Sequence, residues 1–420
     1  MDGLMTEATA GLVASIASRA ESVLPEGNAA ARSTPVVQIE AESLATGDTE
    51  DQHHPTVCMF AANDTPEEDN TGTWTVCGGG NHTFLWSSDG RQLYGCGTNG
   101  DGELALGEGS ALRWTRVELP DGCGVAVRKV VCGWSHTLML TRDGRVYAAG
   151  SGSFGQLGTS DLLSTRRKHE AGGWAQLVGT EEVGFTDIAC GLRHSLMLAV
   201  DGSVYACGAN RKGQLGHVAM EARVPSLVCV SRGLPPIAMV ACGRAHSILV
   251  AADRMTVFAA GDDRYAQCGP ASDPQPETCA WRSFRLPRRA RKVCAGWEFG
   301  AVLMDPLSMD DSRRGGGSVA MWGRADHGQM GINVDPPASC TRDLVELPLE
   351  DVVDLACGSN HAVAVTRAGE VYAWGWNEHG NVGDASLRDV DRPRRIVFAG
   401  AEDTQASAIG CGYGNTFVIR

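Results

Sequence analysis

Five histidines recur in one short phrase of the sequence and are the first candidates for chemistry. Four of the five phrases begin with cysteine, so the candidate ligands are His82, His136, His194, His246 and His361, with Cys132, Cys190, Cys242 and Cys357. Zinc needs imidazole and thiolate ligands that converge to about 2 Å from one point. Each phrase belongs to a separate copy of a repeat, which spreads the ligands apart. We therefore predict no metal site. Each imidazole should fasten strand to loop within its own repeat through backbone hydrogen bonds, and each cysteine should be a small buried hydrophobe.

Other catalytic signatures are weak. The glycines of Gly150–Gly155 fit the dinucleotide pattern G-x-G-x-x-G, but this pattern binds a dinucleotide only where it opens a helix after a strand. Here a strand is expected to follow. The sequence has no phosphate-binding G-x-x-x-x-G-K-[ST] loop and no G-x-S-x-G nucleophile elbow. We predict a protein that is not an enzyme and that holds no cofactor.

Tryptophans provide better candidates for binding another protein. Trp376, Glu378 and His379 fall in a predicted loop, where an exposed tryptophan beside a charge is a typical binding anchor. The alternative for Trp376 is packing against the next repeat. Trp134 and Trp297 occupy one repeat position, just after Cys-Gly and Ala-Gly. They should lie on one face, where they either line the mouth of a channel or stack on a neighbour.

Composition and charge exclude several classes. The 420 residues carry a net charge of −14, and residues 1–70 alone hold 13 acidic and two basic residues, a net of −11. A nucleic-acid binder more often shows a basic face, so no direct nucleic-acid partner is expected. No apolar run is long enough to span a membrane. The 15 cysteines are odd in number and form no C-x-x-C pair, which is typical of a reduced cytoplasmic or nuclear protein.

The histidine phrase is one part of a longer repeat, and this repeat predicts the architecture. Its last position recurs at residues 82, 136, 194, 246, 299, 361 and 415, which gives seven copies. A second phrase follows in the first six, as in Tyr205–Gly208 and Gly213–Gly216. Between the two phrases lie apolar runs that are usually joined by a tight turn such as Asp201-Gly202, a hairpin signal. Each copy is therefore expected to form a small antiparallel sheet of about four strands.

The seventh copy stops soon after Gly412, and its missing part has a counterpart near the other end of the chain. Cys58–Asn63 resembles Tyr205–Asn210. Closure by strands from both termini leaves no exposed sheet edge. We therefore predict an all-β protein, a seven-bladed β-propeller over residues 56–420, behind an acidic and mostly disordered leader over 1–55. A long polar loop over 305–318 should interrupt the fifth blade and is expected to be disordered.

The repeat resembles that of the regulator of chromosome condensation superfamily. The resemblance rests on Cys-Gly-x-x-His followed by Tyr-Ala-x-Gly and Gly-Gln-Leu-Gly, and it covers about residues 56–420. Three stretches are similar to a narrower family, the fungal alpha-tubulin suppressor or killer-toxin insensitivity proteins: Cys77–Glu103, Trp114–Pro120 and Trp374–Asn381. The narrower resemblance implies a non-enzymatic scaffold. Its partner would be a small zinc- and iron-binding protein of diphthamide biosynthesis, and the pair would also support tRNA wobble-uridine modification through the Elongator complex.

Two other functions remain open. The wider superfamily implies a guanine-nucleotide exchange factor for Ran or another small GTPase, although no wedge-like loop that would displace the nucleotide can be matched residue by residue. An adaptor role in a trafficking or ubiquitin-ligase complex is the third possibility. All three fit a cytoplasmic and nuclear location.

Overall fold

The chain forms an all-β propeller. In the computed structural model the described residues are 38–40, 57–59, 73–107, 109–120, 125–158, 173–177, 183–216, 221–270, 281–306, 316–332, 339–383, 386–397 and 405–419. These residues form strands, turns and loops and include no helix. The predicted leader lies outside the described residues except for 38–40, and so does most of the predicted 305–318 loop.

Six four-stranded antiparallel sheets form most of the molecule, and we number them as blades 1 to 6. Blade 1 contains β3 (Trp74–Gly78), β4 (His82–Ser87), β5 (Leu93–Gly97) and β6 (Ala111–Arg116), and blade 2 contains β7 (Val127–Cys132), β8 (His136–Thr141), β9 (Val146–Gly150) and β10 (Ala175–Gln176). Blade 3 contains β11 (Phe185–Cys190), β12 (His194–Ala199), β13 (Val204–Ala209) and β14 (Arg223–Cys229), and blade 4 contains β15 (Ile237–Cys242), β16 (His246–Ala251), β17 (Thr256–Gly261) and β18 (Arg282–Arg285). Blade 5 contains β19 (Ala290–Ala295), β20 (Phe299–Met304), β21 (Ser318–Arg324) and β22 (Cys340–Glu346), and blade 6 contains β23 (Val352–Cys357), β24 (His361–Thr366), β25 (Val371–Gly375) and β26 (Val390–Arg395).

Two further hairpins lie near the ends of the chain. They consist of β1 (Gln38–Glu40) with β2 (Val57–Met59), and of β27 (Ala408–Cys411) with β28 (Thr416–Ile419). The segment beside the final strand β28 is β1, and β2 pairs with the other side of β1. The sequence repeat predicts Cys58–Asn63 in this place, whereas the structure has β1 there. The β-branched residues Val36, Val37 and Ile39 favour a strand, but this run is short and lies within the predicted leader.

The first strands of the sheets form a closed ring. β3, β7, β11, β15, β19, β23 and β27 contact one another in this order, and β27 returns to contact β3. The sheets therefore stand around a common axis and pack face to face, with apolar side chains between neighbours. The largest apolar cluster lies between blades 5 and 6 and includes Phe299, Met321 and Trp374, all of them fully buried. Because the core is divided among interfaces, each blade depends on the next.

One recurring polar contact ties each blade to the next. After the third strand of each of blades 1 to 6, a loop presents a backbone carbonyl that a side chain of the following sheet bonds. Four of these donors are hydroxyls and two are indoles: Thr137 to Glu103 (2.7 Å), Ser195 to Gln156 (2.7 Å), Ser247 to Gln214 (2.6 Å), Trp322 to Gln267 (3.0 Å), Trp374 to Gln329 (3.0 Å) and Thr416 to Asn381 (2.6 Å). Different residue types thus satisfy one structural requirement.

Three of the five repeat histidines, His82, His136 and His194, bond across blade interfaces, which corrects the prediction of bonds within one blade. Nε2 lies 2.9 Å from the Thr137 hydroxyl in His82, 3.1 Å from Ser195 in His136 and 3.1 Å from Ser247 in His194. Each of these hydroxyls gives its only proton to a loop carbonyl, so the imidazole donates through Nε2–H. The ring also lies flat on the glycine of its own phrase, where a Cβ on Gly191 would come within 2.1 Å of His194. This contact explains the invariant spacing of glycine and histidine within the phrase.

Candidate protein-interaction face

Two kinds of loop share one face of the propeller, which we call the loop face. One kind joins the first and second strands of a blade and contains the residues between the repeat glycine and histidine. The other follows the third strand, because the third strand pairs antiparallel with the second and ends beside its histidine, as Gly208 does beside His194. The loop face therefore carries both of the sequence phrases that defined the repeat.

A belt of backbone hydrogen bonds surrounds the axis on this face. The residue after each repeat glycine donates its N–H to the next blade, in the order Trp134 to Leu192, Leu192 to Arg244, Arg244 to Trp297, Trp297 to Ser359, Ser359 to Tyr413, Tyr413 to Gly79 and Gly80 to Gly133, at 2.8 to 3.3 Å. The belt fixes the position of every side chain at its edge. A binding site here is pre-organised, which lowers the entropic cost of association.

Three aromatic side chains of the belt meet over the axis, and we call them the aromatic cap. Trp134 and Trp297 lie 6.4 Å apart, Trp134 stacks on Tyr413 at 5.9 Å, and Trp297 meets Tyr413 edge-on at 5.7 Å. Trp134 and Trp297 thus contact each other, and both contact Tyr413. Trp134 remains 41% exposed. Tyr413 was missed, although it occupies the position of Trp134 in the seventh copy of the repeat.

A row of alternating charges runs outward from the cap, and we call it the charged arc. The Arg244 guanidinium lies 5.3 Å from the ring of Trp297 and bonds the buried Glu298 at 3.0 Å. Glu298 also contacts Arg324 at 3.3 Å, and Arg324 covers the ring of Tyr265 at 4.7 Å. The Arg264 guanidinium also lies 5.9 Å from the ring of Tyr265 and pairs with Asp262 at 2.8 Å. Blades 4 and 5 therefore present ordered arginines beside exposed aromatic surface.

Two acids beside these arginines, Asp262 and Asp326, have lowered pKa values. Burial opposes the charge of Asp262, yet hydrogen bonds from Arg264 hold the pKa of this carboxyl below its usual value. The pKa of Asp326 is lowered in the same way by Arg324, again against the effect of burial. Because each acid has its own arginine, the charged arc keeps its geometry at neutral pH.

The blade 6 loop forms a separate small group. The indole of Trp376 donates to the Glu378 carboxylate at 3.2 Å, and the ring of His379 meets Trp376 edge-on at 5.0 Å. Trp376 is half-buried, whereas Glu378 and His379 are exposed. The three predicted residues thus contact one another. Within the described chain, no ring contact or hydrogen bond connects them to the aromatic cap.

The remaining candidates are structural residues. The five repeat histidines are buried, and burial lowers the pKa of His82, His136 and His194 to about 3 and that of His246 and His361 to about 4. The cysteines of the phrase are free, and burial raises the pKa of Cys132, Cys190, Cys242 and Cys357. Neutral imidazoles and protonated thiols stabilise the interfaces between blades.

The part of the chain that the structure describes lacks a metal-ligand group and a membrane-spanning helix. No group of three or more histidine, cysteine or acidic side chains there is placed to hold a metal ion. In the same residues no helix has the length and apolarity that a membrane crossing requires. The glycines of Gly150–Gly155 belong to the loop after β9, where the N–H of Gly155 donates to Gly152 at 2.8 Å and that of Phe154 to the side chain of Gln156 at 2.8 Å. These bonds close a turn.

Known proteins share this architecture. Prp20p of Saccharomyces cerevisiae superimposes with a TM-score of 0.72 at 20% identity, over 92% of this chain and 91% of its own. Human WBSCR16 superimposes with a TM-score of 0.70 at 23% identity, over 92% and 98%. At these identities the two structures support the fold alone.

The propeller built from glycine-rich repeats, with its bonded loop face, defines a class of interaction proteins. The model of the RCC1-like domain matches residues 40–418, and the chain belongs to this family. The secretion-regulating guanine nucleotide exchange factor of Mus musculus is 30% identical over 372 residues, which is 82% of this chain and 75% of the mouse protein.

Proposed function

We propose that this chain is a guanine-nucleotide exchange factor that binds a small GTPase through its loop face and acts in the cytoplasm and nucleus. Membership of the RCC1-like family and the similarity to a mouse exchange factor support this function over the other candidates. The structural observation that carries the proposal is the aromatic cap, because its exposed Trp134 is fixed by the backbone belt beside the charged arc. Buried aromatic and arginine anchors dominate the binding energy of most protein interfaces.

Nucleotide release tests the proposal directly. The purified full chain is added to small GTPases loaded with a fluorescent GDP analogue, with Ran as one member of the panel. We expect release from one GTPase to be accelerated at least about tenfold, which corresponds to about 1.4 kcal/mol of barrier. If no member of a broad panel responds, the exchange function is wrong.

Variants locate the surface that is used. Trp134→Ala should reduce the acceleration about tenfold or more, because it removes a central aromatic anchor. Leu112→Ala is the matched control, since Leu112 is also an exposed apolar residue, 64% accessible, but lies on the outer strand β6. Loss of exchange in Trp376→Ala as well would extend the surface to blade 6. Equal activity of Trp134→Ala and the unaltered chain would exclude the aromatic cap.

The diphthamide and Elongator scaffold is not supported by the comparisons, and the exchange function replaces it as the main proposal. Size exclusion of this chain with the zinc- and iron-binding diphthamide protein separates the two. Formation of a stable complex in the absence of exchange activity would restore the scaffold. If the chain is instead an adaptor in a ligase or trafficking complex, we expect neither nucleotide exchange nor a complex with the diphthamide protein.

We also propose that the two terminal hairpins together complete a seventh blade. The seven-membered ring of first strands and the position of β1 beside β28 support this closure. The compact unit begins at Val36, so a deletion of residues 1–35 provides the control. Deletion of residues 1–60 should lower Tm by a few degrees and promote self-association, because it exposes an edge strand. Identical Tm values for the two deletions would contradict the proposal.

A further inference from the structure

Two copies of the repeat carry their cysteine one position early, and this shift changes which way the side chain points. In five copies cysteine directly precedes the repeat glycine, as Cys132 does. Cys77 and Cys294 instead stand one residue earlier relative to the repeat frame. Successive side chains of a strand point to opposite faces. The two early cysteines therefore face the following blade, whereas the in-frame cysteines face the preceding one.

The shift brings two pairs of thiols together across blade interfaces. Cys77 and Cys132 pack in the same apolar cluster between blades 1 and 2, where the Cys132 thiol lies 3.8 Å from the backbone carbonyl of Cys77. Cys294 and Cys357 pack against the same apolar cluster between blades 5 and 6, where the Cys294 thiol donates to the carbonyl of Leu355 at 3.2 Å, two residues before Cys357 on β23. All four residues belong to first strands near the loop face.

At the interface between blades 3 and 4 an alanine stands where the early cysteine would be. There Cys242 packs in a cluster with Ala189, which occupies the early position of blade 3. The early position is also alanine at Ala241 and Ala356. Where the early position of the preceding blade is alanine, as at Ala189, the in-frame cysteine packs against a methyl group and no thiol pair forms.

A lysine that is ion-paired with an aspartate acts on each thiol pair: Lys129 pairs with Asp187 and Lys292 with Asp354, both at 2.6 Å. A hydrogen bond from Cys132 and the charge of Lys129 hold the pKa of Cys77 below its usual value against the effect of burial. Cys294 has the same arrangement, with the hydrogen bond from Cys357 and the charge of Lys292. Cys77, Cys294 and Cys357 also keep partial exposure. Cationic surroundings and access are the conditions under which a cysteine reacts.

We propose that Cys77–Cys132 and Cys294–Cys357 are peroxide-sensitive thiol pairs that each close to a disulfide between neighbouring blades. The thiolate of the early cysteine attacks one oxygen of hydrogen peroxide, the O–O bond breaks, and the departing hydroxide takes a proton to form water. The resulting sulfenic acid is attacked by the partner sulfur, the S–O bond breaks and a second water leaves. Two thiols and one peroxide thus become one disulfide and two waters.

Peptide mapping tests the pairs. The reduced full chain is treated with hydrogen peroxide, its remaining thiols are alkylated, and the digest is analysed without reduction. We expect two cross-linked peptides, 77 with 132 and 294 with 357, and a decrease from 15 free thiols to 11. Oxidation should also raise Tm, because each bond closes a long loop in the unfolded chain.

Matched variants make the result decisive. Cys77→Ala and Cys294→Ala introduce the residue that three other blades carry at this position, so both should fold, and each should remove only its own cross-link. Cys242→Ser should leave both cross-links intact. Ala189→Cys should create a third pair with Cys242. Absence of both native cross-links, or oxidation of these cysteines only to sulfinic acid, would overturn the proposal.

Discussion

Replacing Trp374 with alanine is expected to lower the free energy of unfolding by about 3–5 kcal/mol, the usual cost of removing a buried tryptophan. Trp374 is fully buried in the cluster between blades 5 and 6, and its indole N–H bonds the Gln329 carbonyl of the preceding blade at 3.0 Å. The substitution leaves a cavity and an unpaired buried carbonyl at the same interface. Denaturant unfolding measures the loss of unfolding free energy, provided that both proteins show the same dependence of this free energy on denaturant concentration.

Trp376 provides the control for this prediction only two residues away. It is half-buried, and its indole bonds the exposed Glu378 on the same loop. Trp376→Ala should therefore change stability by no more than about 0.5 kcal/mol, the usual range for surface substitutions. Trp374→Phe, which keeps a ring but loses the N–H, should lie between the two. Equal effects of the two alanine variants would mean that the blade interface does not depend on this contact.

Much of the fold could be predicted because the repeat is local and periodic. The spacing of the histidine phrase, the tight turns and the Tyr-Ala-x-Gly strands are each short-range signals, and the six four-stranded sheets follow them closely. The role of the histidines could not be predicted in this way. His136 bonds Ser195, which is 59 residues distant, and no local pattern identifies its partner.

The interaction face was predicted in part for a similar reason. Repeat symmetry placed Trp134 and Trp297 on one face, and the structure brings them into contact. The same symmetry, applied to the seventh copy, would have added Tyr413. Glu298 and Arg324 could not be found from sequence, because their pairing joins a loop and the end of strand β21 in blade 5, 26 residues apart.

Mild acid is expected to destabilise the propeller through its buried histidines. Near pH 8 an imidazole is neutral in both the folded and the unfolded state, and stability does not depend on it. As pH falls below 6.5 the unfolded chain takes up protons, while the folded chain does not until pH approaches the lowered pKa of about 4 for His246 and His361 or about 3 for the others. Stability is therefore lost as pH falls, by about 2 kcal/mol for each such histidine between pH 8 and pH 5.

Blade 5 supplies the substitution that tests this effect. Phe299 occupies the histidine position there and lies on the repeat glycine in the same way. The residue that follows the histidine position in blade 5 is Gly300, so the imidazole of His246 faces no hydroxyl, and neither of its ring nitrogens has a hydrogen-bond partner among the described residues. His246→Phe should therefore fold well. Between pH 8 and pH 5 its free energy of unfolding should fall by about 2 kcal/mol less than that of the unaltered chain.

His136→Phe separates the charge of the imidazole from its hydrogen bond. This variant should show the same reduced dependence on pH, because it also removes one buried imidazole. It should be less stable than His246→Phe at pH 8 by about 1 kcal/mol, since the Ser195 hydroxyl loses the bond from His136. Unfolding curves at pH 8, 6.5 and 5 measure both quantities. If the unaltered chain and both variants lose stability in parallel as pH falls, carboxylates and not the repeat histidines govern the acid response.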